Sequence, residues 1–196
     1  MDYPGSEITE SDIPRASHAI FQHLLDTYAS ETNKTAAVWR ELRDDQLGFR
    51  PHPRSGTARD ILVHQILSER RFFAEFIGLA EPAAASLLPT GESPAVAAYI
   101  DRYVMLARPR LLLLADRDAV FWQSPVPFFD TTRERIWVFW RRLLHTAHHR
   151  AQIGLCLRLL EDRVPPTYGP TADVSWSGAD PTQTIAAAER RGSSPS

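Results

Sequence analysis

The chain has 196 residues, 43% of them hydrophobic and 23% charged, and a formal net charge of −2. That is enough for one ordinary globular domain, and it lacks the basic field that would draw in nucleic acid or an anionic membrane. The single cysteine, Cys156, rules out an intrachain disulfide framework, and no apolar run approaches the roughly 20 residues of a membrane span. The acidic start from Met1 to Glu7 has no apolar signal core, so a cytoplasmic location is expected.

In chain order, residues 1–12 are polar and are expected to form a flexible N-terminus. Ser11-Asp12-Ile13-Pro14 reads as a helix entry with Pro14 in the first turn. Ile20, Leu24 and Tyr28 follow at spacings of four, beside Phe21 and Leu25, which predicts an amphipathic helix running on to Leu42. Phe49 to Gly56 is a loop. Thr57 caps a second helix, with Asp60 at the capping-box position. Ile61, His64 and Phe72 trace one of its faces, which puts His64 among apolar positions and sets Glu69, Arg70 and Arg71 on a charged side. Gly78 starts the exit.

Residues 80–93, with Pro82, Pro89 and Gly91, read as a long loop. A third helix runs from Pro94 to about Asp116, and Pro109 inside it is expected to kink or divide it. Phe121 to Phe129 is aromatic and interrupted by Pro125 and Pro127, so it reads as an irregular connection or a brief hairpin. Asp130, Thr131 or Thr132 is placed to cap a fourth helix reaching about Glu161. Its start, Ile136 to Trp140, is apolar all round. From about Gln183 the composition is that of a disordered tail. These elements amount to an all-α four-helix bundle over residues 13–182, with a tail at 183–196. The all-round apolar stretch, with Phe121, Trp122, Phe128 and Phe129, also predicts a homodimer.

Three of the seven histidines, His145, His148 and His149, fall within five residues of the fourth helix. Residues four apart stack on one helical face, so His145 and His149 point the same way and can grip one metal ion. His148 lies roughly 100° round and is the poorer partner. Four-helix bundles build metal sites from facing helices. His64, read alone, is a core histidine with a satisfied hydrogen bond. Read with the pair, it is a third ligand facing the same core. Cys156 lies two turns beyond His149 and reads as a buried, inert thiol.

Four segments carry a resemblance. They are Trp39-Arg-Glu-Leu42 with Asp44-Asp45-Gln-Leu47 and Arg50-Pro51, then Asp60-Ile-Leu-Val-His64 followed by Glu69. After these come His145-Thr-Ala-His148-His149-Arg150-Ala151-Gln152 and Tyr168-Gly-Pro-Thr-Ala-Asp173. In order and spacing they resemble the DinB/YfiT-like family of damage-inducible bacterial proteins, over about residues 16 to 176. Ala151 stands where that family often has Gly. The resemblance implies a DinB/YfiT-like four-helix bundle. It implies a divalent metal (zinc, nickel or iron) held by His64, His145 and His149. It further implies a metal-dependent thiol S-transferase that joins a low-molecular-weight thiol, such as bacillithiol or mycothiol, to an electrophile.

A metalloprotease is disfavoured, because the glutamate of H-E-x-x-H is Thr146 here. A metal-dependent hydrolase or isomerase and a non-catalytic metal-binding stress or interaction protein stay as alternatives. Around the ligands, Arg150 and Gln152 are expected to orient a substrate or bond backbone, and Asp60 or Asp173 to orient a ligand histidine. The expected partners are thus a small thiol, an electrophile and a second copy of the chain, with no nucleic acid and no membrane.

Overall fold

In a computed structural model of the chain, residues 7–174 are described. Four long helices form the bundle: α1 (Gln22–Arg40), α2 (Ala58–Arg71), α3 (Val96–Ala115) and α5 (Arg135–Leu159). The main helix packing sets α1 against α3 and α5, and α2 against the same two, so the first two helices face each other across the bundle. Between α3 and α5 lie a short helix α4 (Ala119–Gln123) and an antiparallel hairpin of β1 (Pro125–Phe128) and β2 (Thr131–Glu134). Among the described residues no helix is long and apolar enough to cross a membrane.

The first helix starts later than its sequence predicts. Residues before it form a strap: Ser17 N–H donates to the Ala115 carbonyl at the end of α3 (2.8 Å), and Ala16 N–H donates to Gln22 Oε1 (2.7 Å). After an isolated 3₁₀ turn at Glu10–Asp12, helix resumes only at Ala19, as a second 3₁₀ turn that leads into α1. The N-terminal stretch expected to be loose is anchored from Ile8 onward. Ile8 is buried, and the side-chain amide of Asn33 bonds both its N–H (2.8 Å) and its carbonyl (2.7 Å). The middle of α1, Ser30 to Thr35, is polar yet wholly buried. Thr32 and Thr35 return their hydroxyls to the carbonyls four residues back, a local solution to burial that costs little.

Thr57 caps α2 through a reciprocal pair. Its Oγ1 accepts from Asp60 N–H (3.1 Å), and Asp60 Oδ2 accepts from Thr57 N–H (2.8 Å). After Arg71 the helix widens into a π-turn over Phe72–Ile77 and stops at Gly78, whose φ of 81° is left-handed. The wider turn lets Phe72, Phe73, Phe76 and Ile77 all reach the core. The third helix is not divided at Pro109. The carbonyl that loses its donor there belongs to Met105, and both residues lie on the exposed side, where water can take its place.

Thr131 and Thr132 do not cap the last helix. They lie on β2, and α5 begins at Arg135, whose N–H donates to the Ser124 carbonyl. The two central residues of the turn are Phe129 and Asp130, and Phe129 takes a φ of 53°. The hairpin lays Val126 and Phe128 over the core. The Phe128 ring meets Phe72, Phe76 and Trp137 at centroid distances of 5.7, 4.9 and 5.4 Å. This covers much of the apolar start of α5: Val138 and Phe139 are buried, while Trp137, Trp140 and Leu144 stay exposed.

At the centre sits a carboxylate. Glu69 accepts from Tyr28 Oη (2.6 Å) on α1, Tyr103 Oη (2.9 Å) and Arg110 Nη1 (2.8 Å) on α3, and Arg142 Nη2 (3.1 Å) on α5. Arg110 also forks onto Glu81 with two 2.7 Å bonds. Two guanidinium groups therefore balance two carboxylates in the core, the arrangement that makes buried charge tolerable. Glu69 thus belongs to the buried side of α2, not to the charged face expected from its neighbours Arg70 and Arg71.

Candidate metal centre

The buried stripe of α2 is Ala58, Leu62, Gln65, Ile66 and Glu69. His64 falls to one side of that stripe and is exposed, whereas His145 and His149 on α5 are half-buried. The three imidazoles do meet, but on the rim between α2 and α5 and not in the core that both were expected to face. Packing just beneath them fixes the two helices, with Gln65 Nε2 donating to Thr146 Oγ1 at 2.9 Å. His64 lies 5.4 Å from the His145 ring and 4.5 Å from the His149 ring, centroid to centroid. Nε2 of His145 and Nε2 of His149 are 3.2 Å apart. One nitrogen from each of the three histidines falls within 4.8 Å of the others, close enough for a single ion.

The electrostatics keep these rings neutral. Burial, then the nearby Arg142 guanidinium, pushes His145 down to about 3, with His149 and His64 adding to the effect. His64 is lowered by burial and by Arg142. His149 is lowered chiefly by burial, against an opposing hydrogen bond from Gln152. Neutral imidazole is the form that ligates. A tetrahedral ion with bonds of about 2.0–2.1 Å to nitrogen needs its ligand atoms roughly 3.3 Å apart. The His145–His149 pair has that spacing already, and His64, being exposed, is free to turn in. The donor set fits a divalent ion.

The other residues expected near the site divide sharply. Gln152 is there: its Oε1 lies 2.8 Å from His149 Nδ1 and its Nε2 lies 3.2 Å from His148 Nε2. Asp60 is spent on the helix cap. Asp173 forks onto Arg158 (3.1 and 2.5 Å) and accepts Val164 N–H. Arg150 is buried on the α1 side of α5, where it pairs with Glu31 (2.8 Å) and donates to Tyr168 Oη (2.6 Å). Neither aspartate orients a ligand, and Arg150 offers no open guanidinium to a substrate. Cys156 is a buried free thiol that burial pushes up. His23 stacks on Trp140, and His52 accepts Arg54 N–H.

Two neighbours went unread in the sequence. Arg142 Nη1 lies 2.9 Å from His145 Nδ1, and the Phe72 ring stacks on His145 at 5.9 Å. The signal for Arg142 was its position three residues before His145, on the same helical face. Phe72 was placed on the His64 face of the second helix, but it lies in the π-turn after α2, and only the packing of that turn on α5 brings it against His145.

A family model described as the DinB superfamily matches residues 27–153, which spans both α2 and the histidine pair. A solved DinB-like protein from Bacillus cereus ATCC 10987 is similar in fold, with a TM-score of 0.62 and 20% identity over 74% of this chain and 95% of that one. So is a DinB-like protein, YjoA, from Bacillus subtilis, with a TM-score of 0.56 and 14% identity over 74% and 96%. No curated protein matches. With the family model covering well over half of its length, and with the helical bundle common to both solved relatives, the chain belongs to the DinB superfamily.

Proposed function

We propose that the chain is a divalent-metal-dependent thiol S-transferase, with His64, His145 and His149 as the metal ligands. The observation that carries this reading is the position of the triad. Three neutral imidazoles on an exposed rim leave room for a further ligand from solution, as catalytic sites do; structural sites are closed by a fourth protein ligand. A divalent ion there supplies an open position and a positive charge that favours thiolate over thiol. Zinc, nickel and iron all suit three imidazoles, and affinity alone does not choose among them.

The protein's own groups do the positioning. Gln152 holds His149 through Nδ1, which aims Nε2 at the site. The Phe72 ring backs His145. Arg141 is exposed one turn before His145 and suits a thiol that carries carboxylates, as glutathione and bacillithiol do. In the reaction the thiol proton passes to solvent and a bond forms from sulfur to the electrophilic carbon. The leaving group departs with its electron pair. Because a thiol loses intrinsic nucleophilicity as its pKa falls, most of the rate must come from holding the two reactants together. The apolar residues left exposed beside the hairpin, Trp137, Trp140 and Leu144, support a homodimer, although the area is smaller than the sequence implied.

The test uses protein loaded in turn with zinc, nickel and iron, offered glutathione, bacillithiol or mycothiol with 1-chloro-2,4-dinitrobenzene and other electrophile classes. Turnover with at least one thiol is expected, lost on chelation and lost in His145→Ala and His149→Ala, with helical circular dichroism unchanged. Metal content should fall in both variants. Rates at the spontaneous level with every thiol would replace this reading with a non-catalytic metal-binding role. Unchanged metal content in both variants would remove the site itself.

A further inference from the structure

The hydrogen bonds around the triad admit one consistent set of donors and acceptors. A guanidinium only donates. Arg142 Nη1, 2.9 Å from His145 Nδ1, therefore makes that nitrogen an acceptor. A neutral ring with an accepting Nδ1 carries its hydrogen on Nε2. That hydrogen points along the 3.2 Å line to His149 Nε2, which must accept. His149 then carries its hydrogen on Nδ1, facing Gln152 Oε1 at 2.8 Å, and the Gln152 amide donates onward to His148 Nε2 at 3.2 Å. The line begins at Glu69 in the core, which holds Arg142 at 3.1 Å, and ends at the surface.

The two ligand histidines of α5 are thus in opposite states. His149 presents a lone pair at Nε2, ready for an ion. His145 presents a hydrogen there. We infer that Arg142 is a gate on metal loading: it holds His145 in the Nε2–H tautomer, and an ion can take Nε2 only when that hydrogen moves to Nδ1 and the Arg142–His145 bond breaks. The exchange is between tautomers of one neutral ring, so no proton is gained or lost. Arg142 has other partners to keep it in place after the break. Nη1 retains Ser68 Oγ (2.9 Å), and Nη2 retains Glu69 and the Gln65 carbonyl (3.2 Å). The gate opposes loading by the strength of one charge-assisted hydrogen bond and leaves the core pair intact. It rests on the metal-binding part of the function proposed above.

The experiment is a two-bond proton–nitrogen correlation of the histidine rings in ¹⁵N-labelled, metal-free, full-length protein. The His145 signals are assigned by their loss in His145→Gln. The expected result is His145 protonated at Nε2 and His149 at Nδ1, with His145 switching to Nδ1–H as zinc is added. Arg142→Lys keeps a charge for Glu69 but lacks the fork that reaches both partners. By calorimetry it should bind zinc roughly tenfold to a hundredfold more tightly, the equivalent of one hydrogen bond to a charged group. A metal-free His145 already protonated at Nδ1 overturns the inference, and so does a folded Arg142→Lys that binds zinc no more tightly. If Arg142→Lys does not fold, the wild-type spectrum alone decides. Zinc that binds to neither protein overturns the proposed function, and the gate with it. That outcome differs from failure of the gate alone, in which zinc binds and the His145 tautomer never changes.

Discussion

Replacing Glu69 by Gln should remove a large share of the stability while changing almost no volume. The carboxylate accepts from two tyrosine hydroxyls and two guanidinium groups. An amide of the same shape offers one accepting oxygen, and its NH₂ would face donors. Arg110 keeps Glu81, but Arg142 loses its only carboxylate among the described residues. Breaking a buried pair on one side costs about 3–5 kcal/mol. Domains of this kind have only about 5–15 kcal/mol in total. At about 2–4 °C per kcal/mol for a chain of this size, Tm should fall by roughly 6–20 °C. Urea unfolding followed by tryptophan fluorescence and by far-ultraviolet circular dichroism measures the loss directly. The control is Glu41→Gln, which removes a partly exposed contact with Arg163 and should cost under about 1 kcal/mol. If Glu69→Gln costs no more than that control, the carboxylate is not what the four helices depend on.

Acid should unfold the protein through the same groups. Burial alone would push the Glu69 and Glu31 carboxyls up, but Arg142 and Arg110 for the first, and Arg150 and Lys34 for the second, hold both below their usual range. Their folded values lie below the unfolded ones, so their stabilisation is complete above about pH 4.5 and is lost as pH falls through the folded values. A stability profile of Glu69→Gln should therefore have a shallower acid limb than wild type; an identical limb would refute the assignment. Gln152→Leu should weaken zinc binding by about tenfold to a hundredfold in calorimetry, with the helices unchanged, because His149 loses the bond that fixes its tautomer. Light scattering in dilute solution should give the mass of a dimer, and a monomer mass would leave the exposed Trp137, Trp140 and Leu144 without the partner proposed for them.

Much of the bundle was legible because it is local. Thr57 and Asp60 announce a helix start within four residues, and Gly78 announces its end. The spacing of four between His145 and His149 needs only the geometry of one turn. What escaped was set by groups far apart in sequence. Glu69 sits beside Arg70 and Arg71 and so reads as part of a solvated face; its partners are at 28, 103, 110 and 142, and no local pattern connects them. His64 was misplaced for a related reason. The face drawn through Ile61, His64 and Phe72 is not the centre of the buried stripe; Leu62 and Ile66 are, which turns His64 out to the rim. A brief hairpin was one reading of Phe121 to Phe129, but its second strand escaped because Asp130-Thr131-Thr132 has the chemistry of a helix cap. Only the packing of Phe128 against Phe72 and Phe76 makes it a turn and a strand.

Bundles are usually fast folders because most of their contacts are between near neighbours along the chain. Here the central contacts join residues 34, 41 and 73 positions apart, drawn from all four long helices. A partly assembled core without α5 leaves Glu69 short of one cation, and α5 docked without α2 leaves Arg142 short of its anion. Three-helix intermediates are therefore penalised by unpaired buried charge, and loop closure must come first. The consequence is an all-or-none protein. It should fold more slowly than a bundle with a purely apolar centre, with fluorescence and circular dichroism following one shared transition.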